Sequence, residues 1–143
     1  MEKSDGKRNV DDKGRLIVPV HLRNDLEGTF VITKGVEGCL YVFSMTYWED
    51  IKRKMDAIPF SNTKGRKARR FFCSALEECT VDKQGRVLIP VKLRQFAGLE
   101  GEAVIFKTSN YIEIWSKSKW DEQEQAVLDN PEEIAMEIEE LGF

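Results

Sequence analysis

The sequence predicts an α+β protein, mostly β: a pseudo-twofold β-barrel built from two half-barrel repeats, with intervening and C-terminal helices. Three observations lead there. First, the chain repeats itself: Val10, Asp11, Gly14, Arg15, Pro19, Val20, Leu22 and Arg23 return as Val81, Asp82, Gly85, Arg86, Pro90, Val91, Leu93 and Arg94. Second, each copy alternates short apolar runs with turn residues, the grammar of short strands. Third, a unit of about 40 residues is too small to bury its own apolar strands, whereas two units can pair their edges into one closed sheet.

Each copy reads in the same order. A polar turn centred on Gly14 or Gly85 leads into a strand at 16–18 or 87–89. Pro19 or Pro90 then opens a helical turn, 19–26 or 90–97, where a missing N–H and a fixed φ cost nothing. A strand pair comes next, 29–34 with 39–43 and 102–107 with 111–115. Gly35 and Gly38, or Ser109 and Asn110, suit the intervening hairpin loops. The match persists through this region, Val31-Ile32 answering Val104-Ile105 and Trp48 answering Trp120. Ser44 and Ser116 are placed to cap a following helix. In the first copy Trp48, Ile51 and Met55 fall at helical spacing until Pro59 stops the run. Ala68, Phe71, Phe72, Ala75 and Leu76 form a helical apolar stripe between the copies. Asn130-Pro131-Glu132-Glu133 starts a last helix whose Ile134, Ile138 and Leu141 share a face. The predicted organisation is a polar segment 1–9, a first repeat 10–57, a linking helical segment 58–76, a second repeat 77–120 and an acidic tail 121–143.

Composition narrows the function classes. With 41% hydrophobic and 33% charged residues the chain is globular and folded. It has no apolar run of the ~20 residues that cross a bilayer and no apolar leader-like start. Three cysteines without Cys-x-x-Cys spacing and a single histidine, His21, argue against a disulfide framework or zinc site and fit a cytoplasmic protein. No cofactor, metal or small-molecule substrate is expected, and no grouping joins a nucleophile to a base as an enzyme requires. The net charge of −3 conceals a split: the nine carboxylates from Asp121 onward face no Lys or Arg, leaving sixteen acidic against twenty-two basic residues before them. A basic body permits a nucleic-acid partner.

The chemistry is concentrated in the two Asp-x-x-Gly-Arg turns, 11–15 and 82–86. Aspartate closes a turn onto the backbone and glycine supplies positive φ, so Arg15 and Arg86 are displayed from a rigid edge. An arginine fork can pair bidentately with guanine O6 and N7, while Lys13 and Lys83 can hold phosphates. The same spacing also describes a structural ion pair that merely locks a turn. Residues alone leave both readings open.

These turn–strand–proline units resemble the AbrB-like swapped-hairpin DNA-binding superfamily. Two copies in one chain, with Arg69-Arg70-Phe71-Phe72-Cys73-Ser74-Ala75 before the second and Ile112-Glu113-Ile114-Trp115-Ser116 with Trp120 after it, resemble the MraZ family specifically. The resemblance covers residues 10–120. It implies a non-enzymatic, nucleoid-associated transcriptional regulator. Such a protein would bind short direct repeats of double-stranded DNA, in the promoter of the division and cell-wall gene cluster, as a ring-shaped homo-oligomer. Carried over by position, the DNA-binding residues are Asp11, Lys13, Gly14, Arg15, Asp82, Lys83, Gly85 and Arg86. Of these, Arg15 and Arg86 read bases and the aspartates orient the turns. Family members begin with a short β-forming segment. Here residues 2–9 are polar and contain glycine, so the strand before the second turn (76–81) is predicted and the one before the first is not.

Other features carry competing readings. The cations of residues 64–70 suit phosphate tracking, a solvated helix face, or an acidic surface on a neighbouring copy. The tryptophans at strand–helix junctions read as packing residues, the cysteines as small hydrophobes, His21 as a surface position answering Lys92. The acidic tail reads as a capping helix, with regulation of DNA affinity as the sharper alternative. An antitoxin-like module and a ring scaffold without a specific DNA site are the rival functions.

Overall fold

A computed structural model describes residues 7–142; Met1–Gly6 and Phe143 lie outside it. Eight antiparallel strands run in the order β5-β3-β4-β8-β7-β1-β2-β6: β1 Lys7–Val10, β2 Arg15–Ile17, β3 Phe30–Lys34, β4 Leu40–Ser44, β5 Glu77–Cys79, β6 Arg86–Leu88, β7 Gly101–Thr108 and β8 Tyr111–Ser116. A bridge between Val81 and Val87 joins the two ends of this order, so the sheet closes on itself. It is the counterpart of the Val10↔Leu16 pair in the first copy.

The closure follows a pseudo-twofold axis. Leu16 opposes Val87 where β2 crosses β6, and Tyr41 opposes Glu113 where β4 meets β8. Each copy lends a strand to the other: β1 pairs with the second copy's β7, and β5 pairs with the first copy's β3. Alternation sends Leu16, Val18, Ile32, Leu40, Val87, Ile89, Ile105 and Ile114 inward, where all are at most 2% exposed. They form one core with Leu22, Leu93 and Ala97 from the segments after the prolines.

The helices are α1 Met45–Asp56, α2 Thr63–Cys73, α3 Val91–Ala97, α4 Lys117–Asp129 and α5 Pro131–Glu140; α1, α2 and α4 pack against strands, α3 contributes to the core, and every residue of α5 is exposed. More residues lie in helices than in strands, yet the core belongs to the sheet. The predicted caps form, Ser44 Oγ accepting from the Tyr47 N–H and Ser116 Oγ from the Lys119 N–H. Each cap aims an aromatic ring back at the strand before it, Trp48 stacking on Phe43 and Trp120 meeting Trp115 edge to face at 5.6 Å. The tryptophans are therefore packing residues. The segment after Pro19 is a 3-10 helix, Val20–Leu26, whereas its counterpart α3 is an α-helix closed by Gly98 in the left-handed conformation.

The first strand corrects the sequence expectation. β1 forms from Lys7-Arg8-Asn9-Val10 with only Val10 buried. Its register against β7 runs from Lys7↔Val104 to Val10↔Gly101. Backbone groups make that ladder whatever the side chains are, so the polar side chains of Lys7 and Asn9, on the face opposite Val10, and of the half-buried Arg8 do not forbid a strand. Cys39 is fully buried and Cys73 exposed, so the three cysteines do not share one environment. Burial, with Glu113 nearby, pushes the Cys39 thiol up to about 12, and burial pushes Cys79 to about 11, which keeps both protonated at neutral pH.

Leu16 sits at the β2–β6 crossing with no exposed surface, and Ile17 beside it is 45% exposed. Leu16→Ala is expected to destabilise the chain by about 2–5 kcal/mol in urea denaturation. Ile17→Ala, on the outer face of the same strand, should stay within about 0.5 kcal/mol.

Candidate nucleic-acid interface

Both Asp-x-x-Gly-Arg turns adopt one hydrogen-bond pattern. In the first, Asp11 Oδ1 accepts from the Lys13 and Arg15 N–H groups at 2.9 Å each, and Asp11 Oδ2 accepts from Arg15 Nε at 2.9 Å. The Gly14 N–H returns to the Asp11 carbonyl, and the Asp11 N–H donates to the Arg15 carbonyl. In the second, Asp82 Oδ1 accepts from the Gln84 and Arg86 N–H groups, and Oδ2 from Arg86 Nε at 3.1 Å. These backbone N–H donors, led by that of residue 15 or 86, hold both carboxyls below the ordinary carboxylate value. The aspartates thus orient the turns.

The glycines have two reasons to be there. Gly14 and Gly85 have φ of 88° and 79°, the left-handed region. Each also lies under an arginine of the other copy: a Cβ on Gly14 would collide with the Arg94 guanidinium, and one on Gly85 with that of Arg23. Those arginines are anchored by their Nε groups, Arg23 to the Val18 carbonyl at 3.0 Å and Arg94 to the Ile89 carbonyl at 2.8 Å. The turns are further cross-tied, the Ile89 N–H donating to the Gly14 carbonyl and the Val18 N–H to the Gly85 carbonyl. In the sequence Arg23 and Arg94 stand out only as repeated positions. Their recurrence eight residues after each turn arginine is the available signal, but the partner of each lies in the opposite copy.

The turn arginines are displayed together. With Leu16 and Val87 pointing into the core, Arg15, Ile17, Arg86 and Leu88 all point outward from the β2–β6 ribbon. The register pairs Arg15 with Leu88 and Ile17 with Arg86, so the arginines lie diagonally across one twofold-related face. Leu88 is 57% and Ile17 45% exposed, an apolar pair beside the arginines on that face. Nε of each arginine is held by its own aspartate, and the side chains stay about a quarter to a third exposed. Arg86 also reaches Gln84 Oε1. Lys13 and Lys83 are exposed at the tips of their turns, but occupy different turn positions, Lys13 answering Gln84 and Lys83 answering Asp12. Among the described residues no group of His, Cys, Asp and Glu could hold a metal ion, and no helix is long and apolar enough to cross a membrane.

A duplicated, strand-swapped barrel carrying two twofold-related arginine turns defines a class of proteins, and comparison with known sequences narrows it. The family model described as "MraZ protein, putative antitoxin-like" matches twice in tandem, over residues 6–71 and 72–137. The chain belongs to the MraZ family. Curated relatives named "Transcriptional regulator MraZ" include one from Pelotomaculum thermopropionicum, 42% identical over 137 residues, covering 96% of this chain and 94% of the relative. One from Desulforamulus reducens is 41% identical over 135 residues, covering 94% and 95%. One from Moorella thermoacetica is 43% identical over 126 residues, covering 88% of each.

Gly85→Ala is expected to disorder the second turn and loosen Arg23, visible as faster amide exchange at Val18 and Gly85 while the β4–β8 amides stay protected. The turn carboxylates set a pH dependence. Because their folded values lie below the ordinary 3.8, their contribution is complete above that value and is lost as pH falls through the folded ones. An Asp11→Asn, Asp82→Asn double variant should melt below the unsubstituted protein at pH 7 and converge with it near pH 2 in thermal scans.

Proposed function

We propose that this protein is a sequence-specific DNA-binding transcriptional regulator, inserting the outer face of the β2–β6 ribbon into the major groove. The observation that carries this reading is the shared face: two arginines, each braced by an aspartate, pointing outward from one two-stranded ribbon. A B-DNA major groove admits such a ribbon. Diagonal neighbours on a ribbon are about 7–8 Å apart, close to two base-pair steps. Arg15 and Arg86 then read bases through the outer guanidinium nitrogens while Nε stays on the aspartate. Lys13 and Lys83 take phosphates, Gly14 and Gly85 give the turns the left-handed shape that presents the arginines, and Asp11 and Asp82 position without touching DNA. The names carried by the relatives support the regulatory part of the reading.

The finer reading rests on the family resemblance. The DNA carries short direct repeats in the promoter of the division and cell-wall gene cluster, and several copies of the chain, joined in a ring at the nucleoid, engage successive repeats together. No catalytic step is assigned.

Binding to the fragment upstream of the gene, against scrambled DNA of equal length across a salt series, tests the reading. The upstream fragment should be preferred, and the preference should persist as salt rises. Equal and steeply salt-dependent binding to both would reduce the interaction to electrostatics. Arg15→Ala and Arg86→Ala should each weaken specific binding by about 5- to 150-fold, the equivalent of about 1–3 kcal/mol per lost bidentate contact, with circular dichroism unchanged.

A further inference from the structure

Outward apolar side chains on this barrel are covered nearly everywhere. Phe43 stacks with Trp48, and Phe106 and Trp115 both meet Trp120. Among the described residues, only two large apolar side chains in strands are left exposed, Ile17 in β2 and Leu88 in β6. Strand propensity favours the β-branched Ile17 and does not favour Leu88. It gives no reason for the pair to share one face with the two turn arginines. Single exposed hydrophobic residues are ordinary on a protein surface, whereas these two occupy matching positions in the two copies.

The register places each of them opposite an arginine. Leu88 faces Arg15 and Ile17 faces Arg86, while Leu16 and Val87 between them turn into the core. The four outward residues make a small lattice, cations on one diagonal and apolar groups on the other. Directly opposed residues on a ribbon have Cβ atoms about 4.5–5.5 Å apart, between one and two base-pair steps of about 3.4 Å. In a major groove the arginines find guanine O6 and N7. The apolar group that the groove presents is the C5 methyl of thymine, and the other bases carry none there.

We propose that Ile17 and Leu88 are specificity-determining residues that select thymine beside guanine. Each packs on the C5 methyl of a thymine one or two base pairs from the guanine taken by the arginine opposite it, Leu88 acting with Arg15 and Ile17 with Arg86. Cytosine in that place offers an N4 amino group and no methyl. An apolar neighbour strips water from that group without replacing its hydrogen bond. Each reading unit is shared between the copies, the arginine coming from one and the apolar residue from the other. The inference rests on the proposal that this ribbon enters the major groove, and adds which base stands beside each guanine.

Deoxyuridine in place of every thymidine tests it, because uracil keeps the pairing and hydrogen-bonding edges of thymine and lacks only the methyl. The upstream fragment and the scrambled duplex are each prepared in both forms, and the full-length chain is titrated with all four. The unsubstituted protein should bind the thymidine form of the upstream fragment about fourfold more tightly for each methyl buried, with no such difference on the scrambled duplex. In an Ile17→Ala, Leu88→Ala double variant that preference should disappear. The ratio cancels the fraction of chain that is folded, so a variant that is only destabilised binds both forms more weakly and keeps the preference. A preference kept by the double variant would assign the methyl effect to DNA deformability and overturn the proposal. An upstream fragment preferred over the scrambled one, with its two forms bound alike, would overturn the thymine reading and leave the DNA reading standing. No preference for the upstream fragment in either form would remove both.

Discussion

Beside the crossing of β2 and β6, two carbonyls tie each turn to the other repeat. Gly14 O accepts from the Ile89 N–H and Gly85 O from the Val18 N–H, so each arginine turn is finished by the other copy. Arg94 closes over Gly14 and Arg23 over Gly85, each anchored to the strand that supplies the cross-tie. A side chain on either glycine would break the left-handed turn and the close approach together. The fold and the displayed arginines thus depend on one crossing, which a single copy cannot make.

Because the turns are built from backbone and from the opposite repeat, the side chains on their outer face carry little structural duty beyond Nε of each arginine and the contact of Arg86 with Gln84. The Asp-x-x-x-Arg ion pair is real, and it engages each arginine through Nε. It fixes each guanidinium from its Nε end. The structural and the functional readings of the motif, alternatives in the sequence, are compatible in three dimensions.

The pseudo-symmetry fails where the chain must continue. Phe96 supports α2 where Asp25, its counterpart, pairs with Lys107. The turn lysines fall at different positions in the two copies. Duplication therefore produced one symmetric face around β2 and β6 and two unlike flanks. Charge divides the same way, cations on α2 and carboxylates on α4 and α5.

Much was legible in the sequence because it is encoded locally. The Asp and Gly of the turns, the proline-opened helical segments, the serine caps and the aromatic junctions each depend on residues within a few positions of one another, and the repeat shows when the two copies are laid side by side. Three features were decided only by tertiary structure. β1 exists because β7 offers it a complete backbone ladder, an interaction with no side-chain signature. Arg23 and Arg94 act on glycines in the opposite copy, about 60 to 80 residues away along the chain, where no local pattern reaches. The placing of Arg15 and Arg86 on one face depends on the register Leu16↔Val87. A shift of one residue would have turned each arginine into the core. Local chemistry determined the parts, and long-range backbone pairing determined which of them meet.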